Sequence, residues 1–301
     1  MRLLSYSDPI HGQATWGLLR DHDGVVPGAL LQDAVPGQDL QAVVMSCHGD
    51  PERQARCVSM AAAVPAAQTL SLSWLMSQLS LLPVLPRPGK VVCLGVNYVD
   101  HAKEGGNTVA DYPTLFFRGA TSLLGHAQAL RVPPISDKLD FEAELAVVIG
   151  SDMRFVSEDR ALDHVFGYAC FNDATLRDYQ RRTSQWTIGK NFDATGGFGP
   201  CLVTADEVPP GAVGLHIESR LNGQVMQSAN TSDMVFGVTR TLSLLSECLT
   251  LQAGDVVVMG TPAGVGYART PPVWMRSGDR IDIEIEGLGV LSHPVKAWSE
   301  P

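Results

Sequence analysis

Asp140-Phe141-Glu142-Ala143-Glu144-Leu145-Ala146-Val147-Val148-Ile149-Gly150 sets two glutamates two residues apart at the head of an apolar run that stops at glycine. On a β-strand, side chains at i and i+2 share a face, so both carboxylates project together from an otherwise buried strand. Two like charges held side by side away from water are costly unless a cation or a proton lies between them. A hard divalent cation is the simplest remedy. The plainer alternative is an edge strand whose glutamate face is wet, because E-x-E is a common pattern.

Downstream, residues 157–163 (SEDRALD) are predicted as a short helix capped by Ser157, and 165–171 as a second buried strand running into Asn172-Asp173. A carboxylate at the end of a buried strand sits where side chains converge, so Asp173 is a third acidic candidate beside Glu142 and Glu144. Arg177, Gln180 and Arg181 follow at helical spacing, which fits either an exposed helix face or contacts to a substrate. Lys190, in Gly189-Lys190-Asn191-Phe192-Asp193, either turns inward against surplus negative charge or is an ordinary surface lysine. Asn222-Gly223 between the runs 216–221 and 223–227 predicts a hairpin. Residues 231–250 read as mainly helical, 256–259 as a strand and 280–286 as an alternating strand. Gly260-Thr261-Pro262-Ala263-Gly264-Val265-Gly266 is neither a Walker loop nor a dinucleotide fingerprint. Its backbone N–H groups and the Thr261 hydroxyl suit binding of a carboxylate.

Upstream, Pro83, Pro86, Pro88 and Gly89 form a stiff joint that divides an accessory domain, 1–82, from the main body, 83–301. The first part carries a hairpin signal at Asp21-His22-Asp23-Gly24 between apolar runs, and 60–79 looks helical with Pro65 starting or kinking it. His11, His22 and His48 have no carboxylate or cysteine at ligand spacing and read as ordinary histidines. After the joint, 90–96 is a short buried strand leading into Asn97-Tyr98-Val99-Asp100-His101-Ala102-Lys103-Glu104-Gly105-Gly106. His101 and Glu104 stand at i and i+3, side by side on a helical turn. A carboxylate beside imidazole raises its basicity and fixes its orientation, as a general base requires, and the double glycine could hinge a lid. The alternative is a solvated pair on a surface helix. Strands at 114–118 and 129–132 precede the acidic stretch.

With 301 residues, 45% of them hydrophobic, the chain can bury a substantial core. A formal charge of -10 argues against nucleic acid or an anionic membrane surface as partner, since both need a basic face. Neither a signal-peptide pattern nor a membrane-length apolar run is visible. Cys47, Cys57, Cys93, Cys170, Cys201 and Cys248 are scattered without zinc-like spacing, and read as reduced thiols of a cytoplasmic protein.

Seven blocks in order, G-V-N-Y-x-x-H-x-x-E (95–104), D-F-E-x-E-L-x-V-V-I-G (140–150), N-D-x-x-x-R-D-x-Q (172–180), G-K-x-F-D (189–193), L-N-G (221–223), N-T-S-D-M-x-F (230–236) and G-T-P-A-G-V-G (260–266), closely resemble the fumarylacetoacetate hydrolase family, its acylpyruvate hydrolase and hydroxymuconate isomerase branch. The likeness spans about 90–295. It implies an α+β fold, mainly β: mixed sheets rolled around a metal site, with a small N-terminal α/β domain and usually a homodimer. It makes Glu142, Glu144 and Asp173 ligands of Mg²⁺ or Mn²⁺, His101 and Glu104 the catalytic dyad on a lid, and Lys190 the site lysine. Arg177, Gln180 and Thr261 fall where the family contacts substrate or supports the site. Arg118-Gly119 departs from a common Lys-Pro, and Met259 from a common threonine.

The activity implied is cleavage of a C–C bond in a 2,4-dioxo acid of acylpyruvate or fumarylpyruvate type. The anionic 2-oxo acid binds, His101 takes a proton from water, and the departing enolate is stabilised by the cation. Oxaloacetate decarboxylation and hydroxymuconate-type isomerisation or decarboxylation use the same site. A non-catalytic module keeping only the fold belongs to a different class, which the retained acids and dyad disfavour.

Overall fold

The computed structural model describes residues 1–78, 80–106 and 111–299. Strand Ala143–Ile149 lies inside its sheet, antiparallel to Val165–Asp173 on one side and to Val256–Val258 on the other. All seven of its residues are buried. That rules out an edge strand with a wet face. The alternation of side chains then decides the packing: Leu145, Val147 and Ile149 enter one hydrophobic core, whereas Ala146 and Val148 enter another on the opposite face. A strand covered on both faces needs this unbroken aliphatic composition.

From Val256–Val258 the sheet continues through Val91–Gly95, in parallel, to Thr114–Arg118. On the other flank, Gly196–Thr204 follows Val165–Asp173 and is itself paired with Arg2–Ser7. Ala14–Leu19, Gly24–Pro27 and Leu70–Ser71 extend the order further, so residues 1–82 add four strands to the same sheet as the main body. Among the described residues this sheet has eleven strands, Leu123–Leu124 joining it beside Gly196–Thr204. Helix Leu40–Cys47 covers the second core with Leu40, Val43, Val44 and Cys47, and begins where the Asp39 carboxylate accepts from the Ala42 N–H at 2.9 Å.

A second sheet runs Gln224–Asn230, His216–Leu221, Arg280–Ile285, Gly289–Ala297 and Leu130–Val132. Its first hairpin turns on Asn222 and Gly223, at φ 51° and 81°, the left-handed pair a tight two-residue turn demands. Ile217, Ile283 and Leu291 of this sheet pack into the core shared with Leu145 and Val147. Each such buried aliphatic side chain contributes about 1.5–3 kcal/mol.

Two expectations change. The helix expected over 60–79 is broken: helix Pro51–Ala63 stops before Pro65, a single turn and strand Leu70–Ser71 intervene, and Leu72–Ser77 forms a separate helix. Pro65 lacks the N–H that would continue the first helix, and Ser71 caps the next by accepting from Trp74 N–H. Leu79, the last residue of that expectation, lies outside the described residues. The short helix expected over 157–163 is present as a 3-10 helix, Glu158–His164, with Ser157 at its cap position, but the expected capping bond from the Ser157 hydroxyl is not made. No described helix is long and apolar enough to cross a membrane.

Candidate active site

Three acidic side chains arrive from two neighbouring strands. Glu144 lies in Ala143–Ile149, Glu142 just before it, and Asp173 ends Val165–Asp173. The antiparallel register sets Ala143 opposite Asn172, and the Asp173 N–H donates to the Glu142 carbonyl at 3.0 Å, bringing Asp173 alongside the glutamate pair. Ligand oxygens of Glu142, Glu144 and Asp173 all lie within 4.8 Å of one another, on residues no more than 3% exposed.

Buried cations already serve two of the three. Lys190 donates to Glu142 and, at 2.5 Å, to Asp173. Arg118 donates to the other Asp173 oxygen and, at 2.6 Å, to the Ala174 carbonyl. Arg177 reaches Glu142 at 2.6 Å, Asp140 at 2.8 Å and Gln180 at 3.0 Å. Lys190 thus turns inward, as one of its two sequence readings required, and the departure Arg118 is an Asp173 partner. Arg177 and Gln180 are buried, which excludes the exposed-face reading for them.

The electrostatics divide the glutamates. Burial would raise the Glu142 carboxyl, but Arg177, Lys190 and His101 together hold it below the usual carboxylate range. Glu144 goes the other way, pushed well above that range by burial and then by Asp173 and Glu142. Its Oε2 accepts from the Gly260 N–H at 2.7 Å, but among the described residues no lysine or arginine pairs with it. Three hard oxygen donors, one lacking a cation of its own, fit a divalent ion such as Mg²⁺ or Mn²⁺. Carboxylate oxygens accept more than one partner, so the existing pairs leave lone pairs for coordination.

His101 and Glu104 are one turn apart in helix Val99–Glu104, with Nδ1 2.7 Å from Glu104 Oε1. A carboxylate only accepts, so Nδ1 carries the hydrogen, and in the neutral ring Nε2 keeps a lone pair. Glu104 Oε2 accepts from the Gly264 N–H at 2.9 Å, fixing the carboxylate. The glycine-rich loop 260–266 does bind carboxylates, but those of the chain itself. Gly260 N–H serves Glu144, Gly264 N–H serves Glu104, and the Gly266 and Tyr267 N–H groups serve Asp140 at 2.7 and 3.0 Å. Gly264, at φ 105°, leaves no room for a Cβ, which would meet the Met226 carbonyl at 2.3 Å. The Thr261 hydroxyl donates to the Ala143 carbonyl and accepts from Gln227, while Gln227 Oε1 accepts from Ala143 N–H, clamping the loop to the acidic strand.

These groups share a pocket of about 320 Å³ lined by His101, Glu142, Glu144, Arg177, Gln180, Lys190 and Thr261. The sequence-predicted candidates therefore meet in one place; Asp173 and Glu104 stand directly behind that wall through their bonds to Lys190 and His101. Phe116, Trp186 and Tyr267 also line the pocket without having been singled out from sequence. Asp140 was also passed over, though its place two residues before Glu142 repeats the i, i+2 signal. Met259, the other departure, is buried in the core, its carbonyl accepting from Asn97 at 2.7 Å.

The fumarylacetoacetate (FAA) hydrolase C-terminal family model matches residues 90–296. Oxaloacetate tautomerase YisK of Bacillus subtilis is 37% identical over 274 residues, 90% of this chain and 87% of that protein. The human mitochondrial oxaloacetate tautomerase FAHD2A is 42% identical over 221 residues, 73% and 70% of the two chains. Among solved structures, maleylpyruvate hydrolase of Sphingobium sp. SYK-6, in complex with manganese(II) and pyruvate, superposes with a TM-score of 0.76 at 28% identity, over 99% of each chain.

Proposed function

This chain belongs to the fumarylacetoacetate hydrolase family, and from that premise we propose that it is a divalent-metal-dependent enzyme interconverting the keto and enol forms of a short, oxaloacetate-like 2-oxo acid. One observation carries the reading: the oriented His101–Glu104 pair and the Glu142, Glu144 and Asp173 cluster converge on the same small pocket. Glu142, Glu144 and Asp173 would hold Mg²⁺ or Mn²⁺, which when bound supplies Lewis-acid polarisation of a substrate carbonyl.

The chain's own groups handle the proton. His101 Nε2 takes a proton from C3 of the substrate, and the C–H electron pair becomes the C2–C3 double bond. The imidazolium formed is stabilised by Glu104, whose position the Gly264 N–H fixes. Negative charge arriving on the C2 oxygen is offset by Lys190, which lines the pocket, and His101 then returns the proton to that oxygen. Burial of His101, 8% exposed, keeps bulk water from competing for the proton.

C–C hydrolysis of a 2,4-dioxo acid of acylpyruvate or fumarylpyruvate type is the second reading, favoured by the same pair, since a carboxylate-oriented imidazole can activate water. It ranks second because a water must also be placed between His101 and the distal carbonyl. Relatives at 37% and 42% identity bear tautomerase names, while hydrolase names are borne by a relative at 39% and by solved structures at 33% and 28%.

The test follows loss of enol absorbance with oxaloacetate, and pyruvate release from acylpyruvates, with Mg²⁺ or Mn²⁺ and with chelator. Metal-dependent enol conversion well above the spontaneous rate supports the first reading. Pyruvate release without enol conversion supports the second, and neither activity in the presence of metal rejects both.

A further inference from the structure

The pocket's basic residues are not equivalent. Lys190 is committed to Glu142 and Asp173, and Arg177 to Asp140, Glu142 and Gln180. Both pair within the acidic cluster, beside which Lys190 also meets the substrate's 2-oxo group. Arg181 lines the same pocket, one helical turn beyond Arg177, and among the described residues its guanidinium has no carboxylate partner. It lies over the Tyr267 ring at 4.5 Å, while Arg177 lies against that ring at 4.4 Å. Tyr267 is anchored in turn, because its N–H donates to Asp140, which Arg177 also grips.

This stack has a consequence for Arg181. Arg181 is exposed, whereas Glu142 and Glu144, which line the same pocket, are buried. A long cationic side chain is ordinarily mobile, and holding it against a fixed ring reduces the entropy lost when it engages an anion. Guanidinium presents a planar fork matched to carboxylate, and such charge-assisted pairs are stronger than neutral ones. The acidic cluster suits the 2-oxo-carboxylate group of a substrate through a cation; Arg181 suits a second negative group.

We infer that Arg181 is a specificity-determining residue that pairs with a second carboxylate at the far end of the substrate, so the pocket selects short 2-oxo dicarboxylates over 2-oxo monocarboxylates. This rests on the 2-oxo acid reading above, and goes further by assigning the side chain that recognises the second carboxylate. Arg182 provides an internal control, because its guanidinium stacks on Tyr179 at 3.7 Å and does not line the pocket.

The experiment compares kcat/KM for enol–keto conversion of oxaloacetate and of its 4-methyl ester, at fixed Mg²⁺, for the wild type, Arg181→Met, Arg181→Lys and Arg182→Met. Wild type should prefer the diacid. Arg181→Met should lower kcat/KM for the diacid by roughly 10- to 100-fold while leaving the ester within about twofold, as expected for loss of one charge-assisted contact. Arg181→Lys should recover part of the loss, and Arg182→Met should change neither substrate. Equal loss on both substrates in Arg181→Met, or no loss on the diacid, overturns the assignment to Arg181 while leaving the 2-oxo acid reading intact. Wild type converting neither substrate rejects that reading, and the inference with it.

Discussion

Glu144 is the carboxylate with most to gain from a cation, and replacing it separates the cost of the empty cluster from the benefit of the filled one. It is 1% exposed, faces Asp173 and Glu142, and receives one N–H bond, from Gly260. Glu144→Gln keeps the shape and an oxygen to accept that bond but removes the charge. A buried charge without a partner costs several kcal/mol even after relaxation. Chelated Glu144→Gln should therefore be more stable than the chelated wild type by about 2 kcal/mol, or about 3 °C in Tm for a chain of this size. Metal reverses the order. At a hundredfold excess over Kd, a bound ion stabilises the wild type by about 2.7 kcal/mol, and the variant, short of one anionic ligand, should show little of that gain. Thermal denaturation of both proteins, with chelator and with titrated Mn²⁺, gives the four values needed. A chelated variant less stable than the chelated wild type, or one raised equally by Mn²⁺, would refute the reasoning.

His101→Gln should lower kcat for enol conversion by roughly 10²- to 10⁴-fold, the range for loss of a positioned base, with Mn²⁺ affinity by calorimetry within about twofold of wild type. Stability should fall with acid through His126 and His293. Burial, then Arg280, lowers the His126 ring to about 4, and burial lowers His293 to about 3, from an ordinary 6.5. The unfolded chain binds these protons near pH 6.5 whereas the folded chain refuses them, so the contribution is full above pH 6.5 and lost progressively down to about pH 3–4. At pH 5 the loss is about 2 kcal/mol per ring, readable as a lower urea midpoint than at pH 7; His293→Gln should flatten the profile, and equal midpoints for the wild type would contradict it.

What could be read from the residues was whatever depends on near neighbours. The aliphatic run after Glu144, the Asn222-Gly223 turn and the strand ending at Asp173 each carry a local signal, and each stands where expected. The three acids follow from two such strands lying side by side. Beyond Lys190 and Arg177, the partners that hold them do not. Arg118 meets Asp173 across 55 residues, and Gln227 joins Ala143 to the Thr261 loop across 84, pairings that nothing local in the chain specifies. The Gly260–Gly266 loop illustrates the limit: its backbone donors suit carboxylates, and only tertiary packing decides that Glu144, Glu104 and Asp140 take them. Likewise, the proline-rich joint after residue 82 reads as a break in the chain, while the strands on either side of it share one sheet. Hydrogen bonding between strands is indifferent to what lies between them in sequence.

The most direct measurement of the central claim is hydrogen exchange at substrate C3. With oxaloacetate in D₂O and Mg²⁺, initial loss of the C3 proton signal by NMR should be accelerated by the wild type, at least about 100-fold faster than by His101→Gln, and should return to the spontaneous rate with chelator. Exchange at the spontaneous rate with metal-loaded wild type would contradict proton transfer by His101 in this pocket.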